Sequence, residues 1–222
     1  MEIDPSLLSP PERYRLLIGA VVPRPIAVVG TRSPCGRFLN LAPFSFFNAC
    51  GSEPMALMFC PANRDDGSEK DTLRNCLPAA EGGSGEFTVS VATEPIIRQV
   101  VAAAEDLPPE SSEFALSGLT AVVGTLVQAP RVGESPISFE CRTRQVIRLA
   151  RGVPAGANIV IGDVVHVHVA DEVLDARGKV DSGALRAVGR MGSMSYALTR
   201  EILEIPFGAR ALETGEPGSP SR

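Results

Sequence analysis

The chain has 222 residues, 44% of them hydrophobic and 21% charged, and a formal net charge of −5. That length favours one large domain, and the acidic balance argues against a general nucleic-acid binder, which would be basic. No apolar run approaches the ~18 residues of a membrane span, and the five cysteines (Cys35, Cys50, Cys60, Cys76, Cys141) are odd in number and form no CxxC pair. With an acidic Met1-Glu2-Ile3-Asp4-Pro5 start that lacks an export-signal core, the expectation is a cytoplasmic protein with reduced thiols and no membrane partner.

In chain order, residues 1–10 read as a loose arm, and residues 11–17 as a short helix with Ser9 as cap and proline in its first turn. Residues 26–31 are a short β-rich run, Ser33-Pro34-Cys35-Gly36 supplies turn residues, and residues 38–48 resume extended character. Pro43 lies in the middle of that second run. Because proline cannot donate to a ladder, it marks an edge, a bulge or a gap, and leaves backbone groups of Ala42, Phe44 and Ser45 free for a ligand. Residues 55–60 follow as a strand, 61–69 as a polar loop and 70–77 as a helix start with Leu73 and Leu77 on one face. The cluster Gly82-Gly83-Ser84-Gly85 is not a nucleotide fingerprint, since no strand leads into it at the required spacing.

Residues 86–92 alternate cleanly, with Phe87, Val89 and Val91 on one face of a strand, and 94–105 read as a helix capped by Thr93. Residues 119–128 read as a strand with a bend at Gly124, 137–149 as a long curved strand, and 158–170 as a strand with a bulge at Gly162-Asp163. Short helical pieces broken by Gly189 and Gly192 are expected over 182–196, and a tail over 213–222. Many short β runs with few helices between them favour a mainly β fold, a barrel with helical decorations, in one domain over 1–212.

Two clusters could carry chemistry. In Asn63-Arg64 … Lys70-Asp71-Thr72, a helix starting near Thr72 offers unpaired amides to an anion, beside one of only two lysines in the chain. The alternative is that Asp71 caps the helix itself and Lys70 is merely solvated. On a strand, His166 and His168 share a face, but a metal site lacks a third ligand at convincing spacing and no other histidine exists. No metal is therefore expected. No G-x-S-x-G elbow is present, and nothing in the sequence suggests a depressed pKa for Cys35 in its turn.

Together, Pro23-Arg24-Pro25-Ile26-Ala27, Asn40-Leu41-Ala42-Pro43-Phe44-Ser45-Phe46-Phe47-Asn48 and Lys70-Asp71-Thr72-Leu73-Arg74-Asn75 resemble the flavin reductase-like, FMN-binding split-barrel proteins (flavoredoxin-like). Glu134-Ser135-Pro136, the 162–168 segment, Arg190-Met191-Gly192 and Tyr196 are similar to later blocks of that family in the same order. The resemblance implies a Greek-key split β-barrel with a few short peripheral helices. It implies a homodimer holding FMN, with FAD as the alternative, and NAD(P)H as candidate donor to a small-molecule acceptor or free flavin. Ala42, Pro43, Phe44 and Ser45 would lie along the isoalloxazine edge, Asn63, Arg64, Lys70 and Thr72 would hold the 5′-phosphate, and Thr31, Asn40 and Asp71 would complete the cofactor-binding set. A flavin carrier without its own NAD(P)H turnover is the alternative function. No catalytic side chain is implied.

Overall fold

The computed structural model describes residues 1–212, so the expected tail lies outside the described residues. Helix α1 (Pro10–Ala20) begins at Ser9 in a capping box with Glu12. Strands β1 (Ala27–Arg32), β2 (Leu39–Phe44), β3 (Phe47–Ser52) and β4 (Met55–Phe59) follow, then α2 (Asp71–Cys76) and β5 (Glu86–Val91). The chain continues through α3 (Ile97–Ala102), α4 (Glu113–Ser117), β6 (Ala121–Val123), β7 (Pro130–Val132) and the two long strands β8 (Ile137–Arg148) and β9 (Asn158–Val169). It closes with α5 (Ser182–Leu185) and a hairpin of β10 (Val188–Arg190) and β11 (Tyr196–Leu198).

The fold is mainly β. Seven strands form one antiparallel sheet in the order β2-β1-β5-β8-β9-β4-β3. Its two edge strands, β2 and β3, are consecutive in the chain and separated only by Ser45 and Phe46. Edges tied by so short a link must lie close together, so the sheet curls into a barrel that stays unpaired along one seam. That seam is the split of a split barrel. Pro43 sits on its lip, where a residue without an N–H is tolerated.

Alternation along β1 builds two cores. Ala27 and Val29 face inward with Leu57, Phe59, Phe87 and Val89, while Ile26 and Val28 face α3 and α4 with Val100 and Phe114. Each face is sealed by apolar side chains at 0–7% exposure.

Three local expectations are corrected. Residues 119–128 contribute only β6, because the amides of Thr125, Leu126 and Val127 donate to the buried Glu140 carboxylate instead of to a ladder. The β8–β9 ladder shifts register between Glu140 and Cys141 and between Thr143 and Gln145, so Gly162-Asp163 is regular pairing. Gly162 is there for space: a Cβ would lie 2.4 Å from the Phe87 ring. Residues 182–196 form one helical turn and then β10 and the start of β11, because Gly189 lets the chain pass against Pro23 and pair Arg190 with Arg24.

Candidate functional site

The residues singled out around Pro43 divide between the two faces of β2. Register pairs Thr31 with Asn40, Val29 with Ala42 and Ala27 with Phe44, so Thr31, Asn40, Ala42 and Phe44 share the face covered by α2. There Asn40 donates from Nδ2 to Thr72 Oγ1 at 2.9 Å and to Thr31 Oγ1 at 3.2 Å, and Asn75 donates to Thr31 Oγ1 at 3.0 Å. Thr31 and Thr72 are buried at 0% and 1% exposure. A strand pair and the first turn of α2 are thus stitched together by a small polar network. Beside it opens a cavity of about 290 Å³ lined by Ser33, Phe38, Asn40, Arg74, Asn75 and Glu113, among others.

Helix α2 starts where the spacing implied, with Lys70 as its N-cap and no side chain capping it. Asp71 is otherwise engaged. Its carboxylate takes Arg64 at 2.6 Å and also pairs with Arg74, while Arg64 reaches the Glu69 carbonyl at 2.8 Å and Asp106 at 3.3 Å. Arg148, close by, is held by Glu69 and Glu81. Arg64, Arg74 and Arg148 are therefore neutralised, whereas no ion pair or hydrogen bond engages the Lys70 ammonium among the described residues. Asn63 lies elsewhere. Its amide donates to the Ala150 and Val153 carbonyls, both at 3.0 Å, and accepts from Asn158 at 2.9 Å, so it clasps the loop before β9.

Pro43 and Ser45 open instead onto a second cavity of about 430 Å³, between α1, α3 and the β10–β11 hairpin. Arg24, 4% exposed, lies behind it. Its guanidinium donates to the Ile18, Val21 and Met191 carbonyls and to Ser45 Oγ at 3.3 Å.

Two residues of this region were not legible as site residues. Glu113, at the start of α4, accepts the Leu41 amide at 2.9 Å and so covers part of the lip of β2. Burial pushes its carboxyl up, against the pull of that amide, and Asp71 and Asp106 push the same way as burial. Nothing but an acid ahead of a short apolar run marks it in the sequence. Glu140 is the other, and it is the third polar group beside His166 and His168 that spacing could not supply. Its Oε1 accepts from Thr125 N at 2.5 Å and pairs with His168 Nε2 at 2.6 Å; its Oε2 accepts from Leu126 N and Val127 N. With both oxygens doubly engaged, the cluster works as a clamp on residues 124–128.

Comparison with known proteins follows the same lines. The family model described as flavin reductase like domain matches residues 19–184. An uncharacterised protein of Halalkalibacterium halodurans is 42% identical over 206 residues, 92% of this chain and 95% of that one. Among solved structures, nitrilotriacetate monooxygenase component B from Bacillus cereus is 31% identical with a TM-score of 0.83, covering 92% of this chain and 98% of that one. A protein with a split barrel domain from Shewanella frigidimarina, at 22% identity and TM-score 0.77 over 94% of this chain and all (100%) of that one, shares the fold.

Proposed function

The chain belongs to the flavin reductase-like family, and from that premise we propose that it is a homodimeric FMN-binding oxidoreductase carrying reducing equivalents from NAD(P)H to a small acceptor or free flavin. The observation that carries the reading is the Lys70 ammonium, left without a carboxylate at the start of α2 while Arg64, Arg74 and Arg148 each have one. A phosphate would complete that charge pattern. The uncapped first turn of α2 adds amides of the same polarity.

Fit to the cofactor is also supported by the lip of β2. Pro43 removes a donor from the free edge, and Ala42 and Phe44 present their side chains to the α2 face while Ser45 turns to the other. A flat ring system laid along that lip would have apolar walls on one flank and a hydroxyl on the other. FMN, when bound, supplies hydride acceptance and electron delivery. The chain's own residues would anchor the phosphate through Lys70 and Thr72, with Asn40 fixing the Thr72 hydroxyl. Arg64 and Asp71 would hold the loop in place around it. Asn63 would act only through the clasp it makes with Ala150, Val153 and Asn158.

The test is a flavin titration of the purified protein followed by mixing with NADH or NADPH. Lys70→Ala with Thr72→Ala is expected to weaken FMN by about 2–4 kcal/mol, from two contacts worth roughly 1.5–3 kcal/mol each with some loss shared. Thermal melts of the flavin-free forms separate that loss from a folding defect. Unchanged flavin retention would remove the phosphate assignment. A flavin-loaded protein whose absorbance near about 450 nm is not bleached by either nucleotide would be a carrier.

A further inference from the structure

We propose that the cavity beside Pro43 and Ser45 binds a planar ring bearing an anionic group, with Arg190 as the anchor for the charge. The cavity, about 430 Å³, is large enough for a small aromatic molecule. Its walls are apolar, from Ile26, Pro43, Val100, Val101 and Ala104, and no carboxylate is among the residues lining it.

One cation of the lining, Arg190, lacks an acid partner, and a second, Arg24, lies behind Ser45 outside the lining. Arg190 stacks its guanidinium 4.5 Å from the centre of the Tyr196 ring and donates once, to the Ser193 carbonyl at 2.5 Å. No acidic side chain pairs with it among the described residues. Arg24, behind Ser45, is buried and bonded only to three carbonyls and a hydroxyl. Buried charge is normally paired. Glu94, ahead of α3, is already bound to Arg186 and Arg200, and Glu105, the residue after Ala104, makes no ion pair with Arg190 among the described residues. Burial lowers the pKa of Arg24, Tyr14 pulls it back up, and the like charge of Arg190 acts with burial. The Arg190 guanidinium in the lining, with Arg24 behind it, therefore biases a largely apolar slot toward negative charge.

The stack on Tyr196 holds the Arg190 fork in a fixed plane, which suits a carboxylate or phosphate. A bare inorganic anion would leave the apolar walls uncovered, and an uncharged ring would leave Arg190 unanswered. A ring carrying an anion meets both demands. The charge pattern belongs to the chain itself, so the inference stands whether or not flavin occupies the neighbouring lip.

Two sources of this chemistry are separable. Isothermal titration of the flavin-free full chain would use benzoate, its uncharged counterpart benzamide, and nicotinamide mononucleotide, in which a ring is joined to a phosphate. The expected result is that at least one of the two anions binds about ten- to a hundred-fold more tightly than benzamide. Arg190→Gln should abolish that preference and Arg190→Lys should keep part of it. A mononucleotide preference identifies the occupant as the donor's half, and a benzoate preference identifies an acceptor; both support the site. Thermal melts of the Arg190 variants verify their folding. Equal binding of benzoate and benzamide without a mononucleotide preference overturns the proposal, as does absence of binding by both anions. Survival of the preference in folded Arg190→Gln overturns it as well. Failure of FMN to bind, with the anion preference intact, would instead count only against the flavin reading.

Discussion

Glu140 and Glu113 are both buried carboxylates that accept backbone amides, yet they pull stability in opposite directions with pH. Burial pushes Glu140 up, but hydrogen bonds from Thr125, His168, Leu126 and Val127 outweigh it and hold the carboxyl at about 2 against an ordinary 4.5. Its contribution is fully present above the ordinary carboxylate range and is lost as pH falls through about 2. Glu140→Gln should cost about 1–3 kcal/mol at neutral pH, measured by urea unfolding, and the deficit should shrink as pH drops below the ordinary carboxylate range. Glu113, with a raised pKa, works the other way: its contribution is fully present at low pH and declines as pH rises through the folded value. Cys35 corrects an expectation at the same scale. The Ser33 hydroxyl, 3.3 Å from its sulfur, and then Arg37 draw the thiol down to about 7. Burial pushes Cys76 and Cys141 up. Limited iodoacetamide labelling at neutral pH, read by peptide mass, should therefore mark Cys35 first and leave Cys76 and Cys141 unmodified.

At the scale of elements, close approach decides what composition cannot. Gly30 of β1 would place a Cβ 1.9 Å from the Pro130 carbonyl oxygen, and Gly162 of β9 would place one 2.4 Å from the Phe87 ring. Gly162→Ala should cost about 1–3 kcal/mol by overpacking. Gly30→Ala should cost more, because a carbonyl fixed in β7 cannot turn aside as a ring can. Thermal melts of the two variants check the order. What was readable here was whatever repeats locally: the alternation over Glu86–Val91, the Ser9 cap of α1 and the start of α2. Residues 119–128 and 182–196 were misread because their backbone is governed by distant partners, Glu140 for the first and Arg24 for the second. No local pattern announces such partners. Asp71 shows the same limit at one residue: spacing allows it to cap α2, and only the fold reveals that Arg64 and Arg74 claim its carboxylate.

For the whole molecule, the resemblance gave the split barrel before any coordinate, and the strand order explains it physically through the unpaired seam between β2 and β3. The candidate site was legible where motif residues lie on one surface, as with Thr31, Asn40 and Thr72. It was not legible where β2 divides them, since period-two alternation sends Pro43 to the second cavity and Phe44 to the barrel core beside Phe59 although they are adjacent in sequence. Tyr14, Leu17 and Val21 of the α1 region and Met194 near the hairpin are exposed at 57%, 51%, 55% and 87%. Such surface suits the proposed dimer. Sedimentation equilibrium should give twice the chain mass of 23.4 kDa, and a monomer at micromolar concentration would refute it.

The short link between β2 and β3 acts as a tether across two lips that no ladder fastens. Its length, not its pairing energy, sets how far those lips can part. Extra glycines inserted at Ser45-Phe46 should therefore leave the seven-stranded ladder intact while letting the mouth gape, so that the grip on whatever lies there is lost well before the cylinder itself comes apart.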